Sequence, residues 1–199
     1  MARFLLKIAD KSVELGSLKA QDRELFSFAM ENLLYSCLTW GVFLILGLLT
    51  DCFWGCVFFI ITYIPIRVYA GGYHQKTRLR CFFTSLFLFV SVIVLSYILM
   101  PFFSKIMFIS LMTVSTAVIC VAAPVPEEKN PLSENEYRHC HRNALRISIV
   151  IYVLVVTFTL LFDGTMLLFF CVASNSTVAV LILIKLFFRF RDRQQVNIS

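Results

Sequence analysis

Charge is scarce in this chain. Only 15% of its 199 residues are Asp, Glu, Lys or Arg, and residues 32–50, 52–66, 81–104, 106–126, 147–162 and 164–184 contain none. The apolar runs therefore lack the buried ionisable residues that line ion or substrate paths, which argues against a channel or a pump. They also lack the acidic pair that an intramembrane aspartyl mechanism needs. Gly-x-Ser-x-Gly and His-Glu-x-x-His are absent as well, which removes the serine-hydrolase elbow and the zinc-protease helix. Histidine occurs three times, at His74, His139 and His141. The usual zinc-ligand spacings are missing, so neither a metal nor a cofactor is expected.

What is abundant is apolar. Hydrophobic residues make up 59% of the chain, Phe stands at 21 positions, and mean hydropathy is +0.83. A soluble domain of this length cannot bury so much, so the expected class is an all-α polytopic membrane protein. A helix needs roughly 20 apolar residues to cross the hydrocarbon core. The six uncharged runs are read as six spans, with tilt, bilayer thinning or snorkelling helping the short ones before Arg67 and Asp163.

The cations sort with these spans. Lys and Arg number five before the first span, none at Asp51, four from Arg67 to Arg80 and one at Lys105. Four more lie from Lys129 to Arg146, none at Asp163 and four from Lys185 to Arg193. Alternate loops thus hold 17 and one of the 18, a positive-inside pattern that predicts cytoplasmic termini and supports the span count independently of hydropathy. The net charge of +6 reflects this orientation and attraction to an anionic lipid bilayer, and no nucleic acid is expected as a partner.

The expected organisation has three parts. Residues 1–31 form an amphipathic membrane-interface segment, with Met1, Phe4, Leu5 and Ile8 at helical spacing beside Arg3, Lys7 and Lys11. A secretory signal peptide is not expected there, since no apolar core with a small-residue cleavage site occurs. Residues 32–184 form the six-helix domain, with cytoplasmic loops 67–80 and 127–146. Residues 185–199 form a basic cytoplasmic tail.

Seven cysteines suggest no disulfide framework, because Cys37, Cys52, Cys56, Cys120 and Cys171 lie in or beside apolar runs and act as small hydrophobes. Cys81 differs. It opens the third span, where His74, Lys76, Arg78, Arg80 and the helix N-terminus all favour a thiolate, the form that acts as a nucleophile. On one continuous helix His74 and Cys81 would stand about 10 Å apart along the axis, too far to hydrogen-bond. The segment therefore has to fold back, with Gly71 and Gly72 as a hinge and Thr77 as N-cap.

The run Arg67, Ala70, Gly71, Gly72, Tyr73, His74, with Cys81 seven residues after the His, resembles the signature of the AgrB family. These accessory gene regulator proteins process quorum-sensing propeptides. Ala123, Pro124 and Val125, followed by Lys129, Asn130, Pro131 and Leu132, are similar to that family's loop after its fourth span. The resemblance implies a multi-pass cell-membrane cysteine endopeptidase with its active site at the cytoplasmic face. Cys81 would be the nucleophile and His74 the general base. Arg67, Gly71 and Gly72 would be supporting residues, Arg67 by holding a substrate carboxylate, stabilising the loop or snorkelling. The implied substrate is an AgrD-type propeptide with an amphipathic helix and an acidic C-terminal tail, and the implied assembly is a homodimer, to which Gly41 and Gly47 could give close helix contact.

Lys76, Arg78, Arg80, Lys129, Arg138, Arg142 and Arg146 serve orientation individually and could attract the acidic tail as a group. Asn130, Glu134 and Asn135 are the candidates for orienting the imidazole, and amides at the start of the third span are candidates for an oxyanion hole. His139, Cys140 and His141 are adjacent, so on a helix they diverge by about 100° and are read as solvated loop residues. The competing reading is a non-enzymatic six-span peptide exporter or peptide-binding membrane protein with an incidental thiol at Cys81.

Overall fold

A computed structural model describes residues 10–11, 23–71, 78–125, 133–162 and 165–196. Six helices carry the described chain: α1 (Arg23–Leu49), α2 (Phe53–Ala70), α3 (Arg78–Leu99), α4 (Lys105–Ala122), α5 (Glu134–Leu161) and α6 (Met166–Val196). A 3-10 turn, Met100–Phe102, follows α3. Among the described residues there is no β-strand, only a single parallel bridge between Gly71 and Val125. Helices α2 to α6 are long and apolar enough to cross a membrane, and α1 contains a shorter apolar stretch, Leu33–Leu49. The chain is thus an all-helical, multi-pass membrane protein with five or six spans. Its outward faces carry large apolar side chains such as Leu49, Phe87, Ile106 and Val121, as a lipid solvent demands.

Local chemistry sets the helix ends. Asp51 takes a left-handed φ of 50° between α1 and α2, a conformation that Asp tolerates better than most residues. The Tyr97 hydroxyl on α3 donates to the Thr50 carbonyl and meets Cys52 Sγ at 3.0 Å, tying the far end of α3 to this turn. Helix α4 starts at Ser104, whose hydroxyl accepts from the Met107 amide at 3.3 Å. Helix α5 starts with a capping box: Ser133 Oγ accepts from the Glu136 amide, and the Glu136 carboxylate accepts from the Ser133 amide at 2.9 Å.

Helix α6 is the hub. In its apolar window 61% of residues are buried, against 22–33% in the other four spans, because α2 and α4 pack along it. One apolar cluster lies towards the Asp51 end, around Phe43, Phe59, Phe89 and Phe170, with the Phe43 and Phe89 rings stacked at 3.8 Å. A second lies towards the Gly71 end, around Ile66, Ile119, Val125, Val178 and Ile182. Between the helices runs a polar seam that hydropathy does not reveal. Thr62 Oγ1 and Ser174 Oγ share a hydrogen bond of 2.6 Å, and Asn175 Nδ2 donates to Ser115 Oγ at 2.8 Å and Thr116 Oγ1 at 3.0 Å. Inter-helical hydrogen bonds in membranes are worth about 0.6 kcal/mol on average. Asn175→Ala is therefore expected to destabilise the fold by about 1–2 kcal/mol, read as a lower unfolding temperature in detergent.

Three boundaries differ from the sequence expectation. Residues 23–31, read as part of an interfacial segment, continue directly into the first span as α1. Arg138 to Arg146, read as loop, lie on α5. Lys185 and the residues up to Val196, read as a tail, continue α6. Residues 1–9 and 12–22 lie outside the described residues, so the proposed interfacial helix there stays an expectation. Gly47 serves packing within the chain, since a Cβ there would sit 2.7 Å from Cys56 Sγ, whereas Gly41 faces open space.

Candidate active site

The segment around Gly71 is held by contacts from four directions. Helix α2 stops at Ala70 because Gly71 turns to φ 68° and ψ −139°, a region that side-chain-bearing residues avoid. Its amide donates to the Arg67 carbonyl at 3.2 Å, while its own carbonyl accepts from the Arg67 guanidinium. The Val125 amide donates to the Ala70 carbonyl at 3.1 Å, and the Val125 carbonyl accepts from Lys185 Nζ at 3.3 Å. The Ala123 carbonyl is 2.7 Å from His141 Nδ1; since a carbonyl only accepts, that nitrogen carries the proton. The two sequence runs singled out above, 67–71 and 123–125, thus meet in space and are fastened by α5 and α6.

Glycine is required at position 71 on two grounds. Its φ is positive, and a Cβ there would lie 2.8 Å from the Val125 carbonyl oxygen, which is backbone and cannot swing away. Gly71→Ala is expected to weaken this junction by roughly 1–3 kcal/mol. Faster hydrogen exchange at the Val125 amide would report it.

Cys81 is the fourth residue of α3 and is half-buried, and Thr77, expected as N-cap, lies outside the described residues. It lines a cavity of about 190 Å³ together with Arg67 and Tyr63 of α2, Tyr35 and Trp40 of α1, Ser85 and Phe89 of α3 and Thr177 of α6. The walls are largely aromatic, and Trp40 meets both Phe43 and Tyr63 edge to face. Cys81, Arg67 and several hydroxyl-bearing residues therefore line one small, mostly apolar space. Arg67 bonds to the Gly71 carbonyl and lines the cavity as well.

His74, Gly72, Lys76, Lys129 and Asn130 lie outside the described residues. Gly71 and Cys81 are both described, so each end of the intervening segment is anchored. The Arg78 backbone opens α3, and Arg80 is exposed one residue before the thiol. Arg138 pairs with Glu134 at 2.7 Å, one helical turn away, and Arg142 Nε donates to the Arg138 carbonyl at 3.4 Å. That exposed pair is worth only about 0.3–0.5 kcal/mol, so a polyanion can displace it.

The His139 to His141 run needs correcting as solvated loop. It occupies the second turn of α5, where His139 approaches the Tyr69 ring at 6.4 Å and its Nε2 accepts from Asn143 Nδ2 at 2.9 Å. His141 stacks on Tyr137 at 6.3 Å while bonding to Ala123. Among the described residues no group of three His, Cys, Asp or Glu is arranged to hold a metal. The structural role of His141 escaped the sequence reading, although the Ser133-x-x-Glu136 capping box ahead of it signals a helix.

A family model described as accessory gene regulator B matches residues 4–190. No curated protein and no solved structure matches the chain.

Proposed function

This chain belongs to the accessory gene regulator B family, whose members process AgrD-type propeptides in quorum sensing, and from that premise we propose that it is a membrane cysteine endopeptidase acting through Cys81. The observation that carries this reading is the position of Cys81. It lies in the first turn of a helix, half-buried, in a cavity shared with Arg67. A helix start and an arginine bordering one small space suit a reaction that passes through an anionic intermediate.

The reaction follows from acyl-transfer chemistry. The Cys81 thiolate attacks the carbonyl at the end of the future signal sequence, and the oxyanion is received by backbone amides at the start of α3. The C–N bond breaks, His74 gives its proton to the departing amine, and the acidic C-terminal tail leaves. A Cys or Ser inside the bound peptide then attacks the thioester, closing a thiolactone or lactone and returning Cys81 as a thiol. Thioester exchange with a thiol is nearly balanced in free energy, so ring closure needs no ATP if water is excluded first. The aromatic walls of the cavity suit that demand.

Cations at the Gly71 end of the bundle, Arg80, Arg138, Arg142 and Arg146 among them, complement an acidic tail, and the positive-inside rule supports a reaction on the cytoplasmic side. A homodimer remains part of this proposal, with Gly41 the small residue that faces open space.

The acyl-enzyme tests the reading directly. A propeptide whose ring-forming Cys or Ser is replaced by Ala should leave its N-terminal portion on Cys81, visible by mass spectrometry of the intact protein and released by hydroxylamine. Release of the tail with Cys81 unmodified throughout would overturn the covalent mechanism. Cys81→Ser is expected to lower cleavage by at least about a hundredfold, since a hydroxyl at this site is far less acidic than a thiol.

A further inference from the structure

A second groove of about 570 Å³ is lined chiefly by α3 and α6, with exposed apolar side chains such as Leu95 and Val180 along it. It runs along α3 from Thr84 to Leu99 and along α6 from Phe188 to Phe169. At 1.5 Å per residue the α3 side is roughly 22 Å long. That exceeds the ~15 Å which one leaflet contributes to the hydrocarbon core. The groove is therefore long enough to take most of one extended chain.

Its chemistry selects between extended chains. The walls are almost wholly apolar, and two of the few hydroxyls are already engaged: Ser91 donates to the Phe87 carbonyl at 2.8 Å and Thr177 to the Ala173 carbonyl at 2.7 Å. A peptide here would leave most of its amides unsatisfied, which is prohibitive inside a membrane. An acyl chain has no such groups. The Gly71 end of the groove also carries positive charge from both helices. Arg80 lies one turn before Thr84 on the same face of α3 and is exposed, and the Arg191 guanidinium lies 5.1 Å over the Phe188 ring of α6.

We infer that the α3–α6 groove is a binding site for an anionic phospholipid, with one acyl chain laid along the groove and the phosphate between Arg80 and Arg191. Leu88 and Thr177 line both this groove and the Cys81 cavity. The lipid chain thus forms part of the wall that keeps water from the thiol, a consequence that rests on the peptidase reading, whereas the binding site does not.

The test uses the full-length chain reconstituted with phosphatidylglycerol bearing a photoreactive group in one acyl chain. Crosslinks should concentrate on the groove faces of α3 and α6. Leu95→Trp and Val180→Trp, which fill the groove from opposite walls at side chains 43% and 49% exposed, should each remove most of them. Arg80→Gln and Arg191→Gln should each lower phosphatidylglycerol retention in native mass spectrometry by about fivefold, with phosphatidylcholine unaffected. Equal labelling of lipid-facing Ile106 and Val121 on α4 would overturn the inference. So would full retention in both Trp variants, or equal retention of phosphatidylcholine. Neither readout requires propeptide, so the lipid site and the peptidase reading can fail separately.

Discussion

Cells producing the propeptide with Cys81→Ala in place of the native chain are expected to accumulate uncleaved precursor, with cleavage reduced by about a thousandfold or more. The size of the effect follows from what the thiol supplies. Without it no acyl-enzyme forms, and the remaining donors can only polarise a carbonyl that water attacks slowly. The substitution removes one sulfur from a half-buried position in the first turn of α3, and the buried clusters around Phe89 and Ile66 do not contain it. Protein level in the membrane should therefore hold, and immunoblotting of enzyme and precursor together separates lost chemistry from lost fold. A non-enzymatic exporter makes the opposite prediction, since incidental thiols can be removed without affecting processing. Normal precursor cleavage by Cys81→Ala would leave that reading standing and end the peptidase proposal.

The parts of this architecture that were legible in the sequence are those written in one dimension. The uncharged runs fall on the six helices α1 to α6, five of which are long and apolar enough to cross a membrane. The start of α3 was legible because charge ends at Arg80 and an uncharged run begins at Cys81, so the thiol had to lie near a helix N-terminus. Contacts between distant segments were not legible. Nothing near Gly71 announces that its carbonyl neighbour is Val125, more than fifty residues on, or that Lys185 reaches the same strand-like segment. The double glycine read as a flexible hinge; at Gly71 the coordinates give a fixed left-handed turn, braced by Arg67. Asn175 illustrates a different limit. Hydropathy averages over one amide in an apolar run, and only packing shows that Ser115 and Thr116 are there to meet it. Length misled at α1 and α6, where polar or basic residues suggested that the spans had ended. Helical hydrogen bonding continues through such residues once they leave the hydrocarbon, because water and headgroups solvate their side chains without disturbing the backbone.

Replacing His74 with Ala is expected to cost about 10²–10⁴-fold in cleavage, the usual contribution of a positioned general acid and base. The argument is one of chain geometry. His74 lies three residues beyond Gly71, so its Cα stays within about 11 Å of that glycine. Gly71 is itself pinned to the arginine that lines the Cys81 cavity. A tether of that length is compatible with the proposed contact between His74 and Cys81. If it acts as proposed, its loss and the loss of the thiol are not independent. The Cys81→Ala/His74→Ala double variant should be no slower than Cys81→Ala alone, because an imidazole has no proton to manage once no thioester forms. Added imidazole should partly restore cleavage to His74→Ala, since a small diffusible base can occupy the vacated space. It should do nothing for Cys81→Ala. A purely structural His74 gives another pattern: additive losses in the double variant, no rescue by imidazole, and recovery by Gln, which resembles His in size and hydrogen bonding but cannot carry a proton between two groups. That pattern would move His74 out of the reaction and leave the base to be sought elsewhere around the Cys81 cavity.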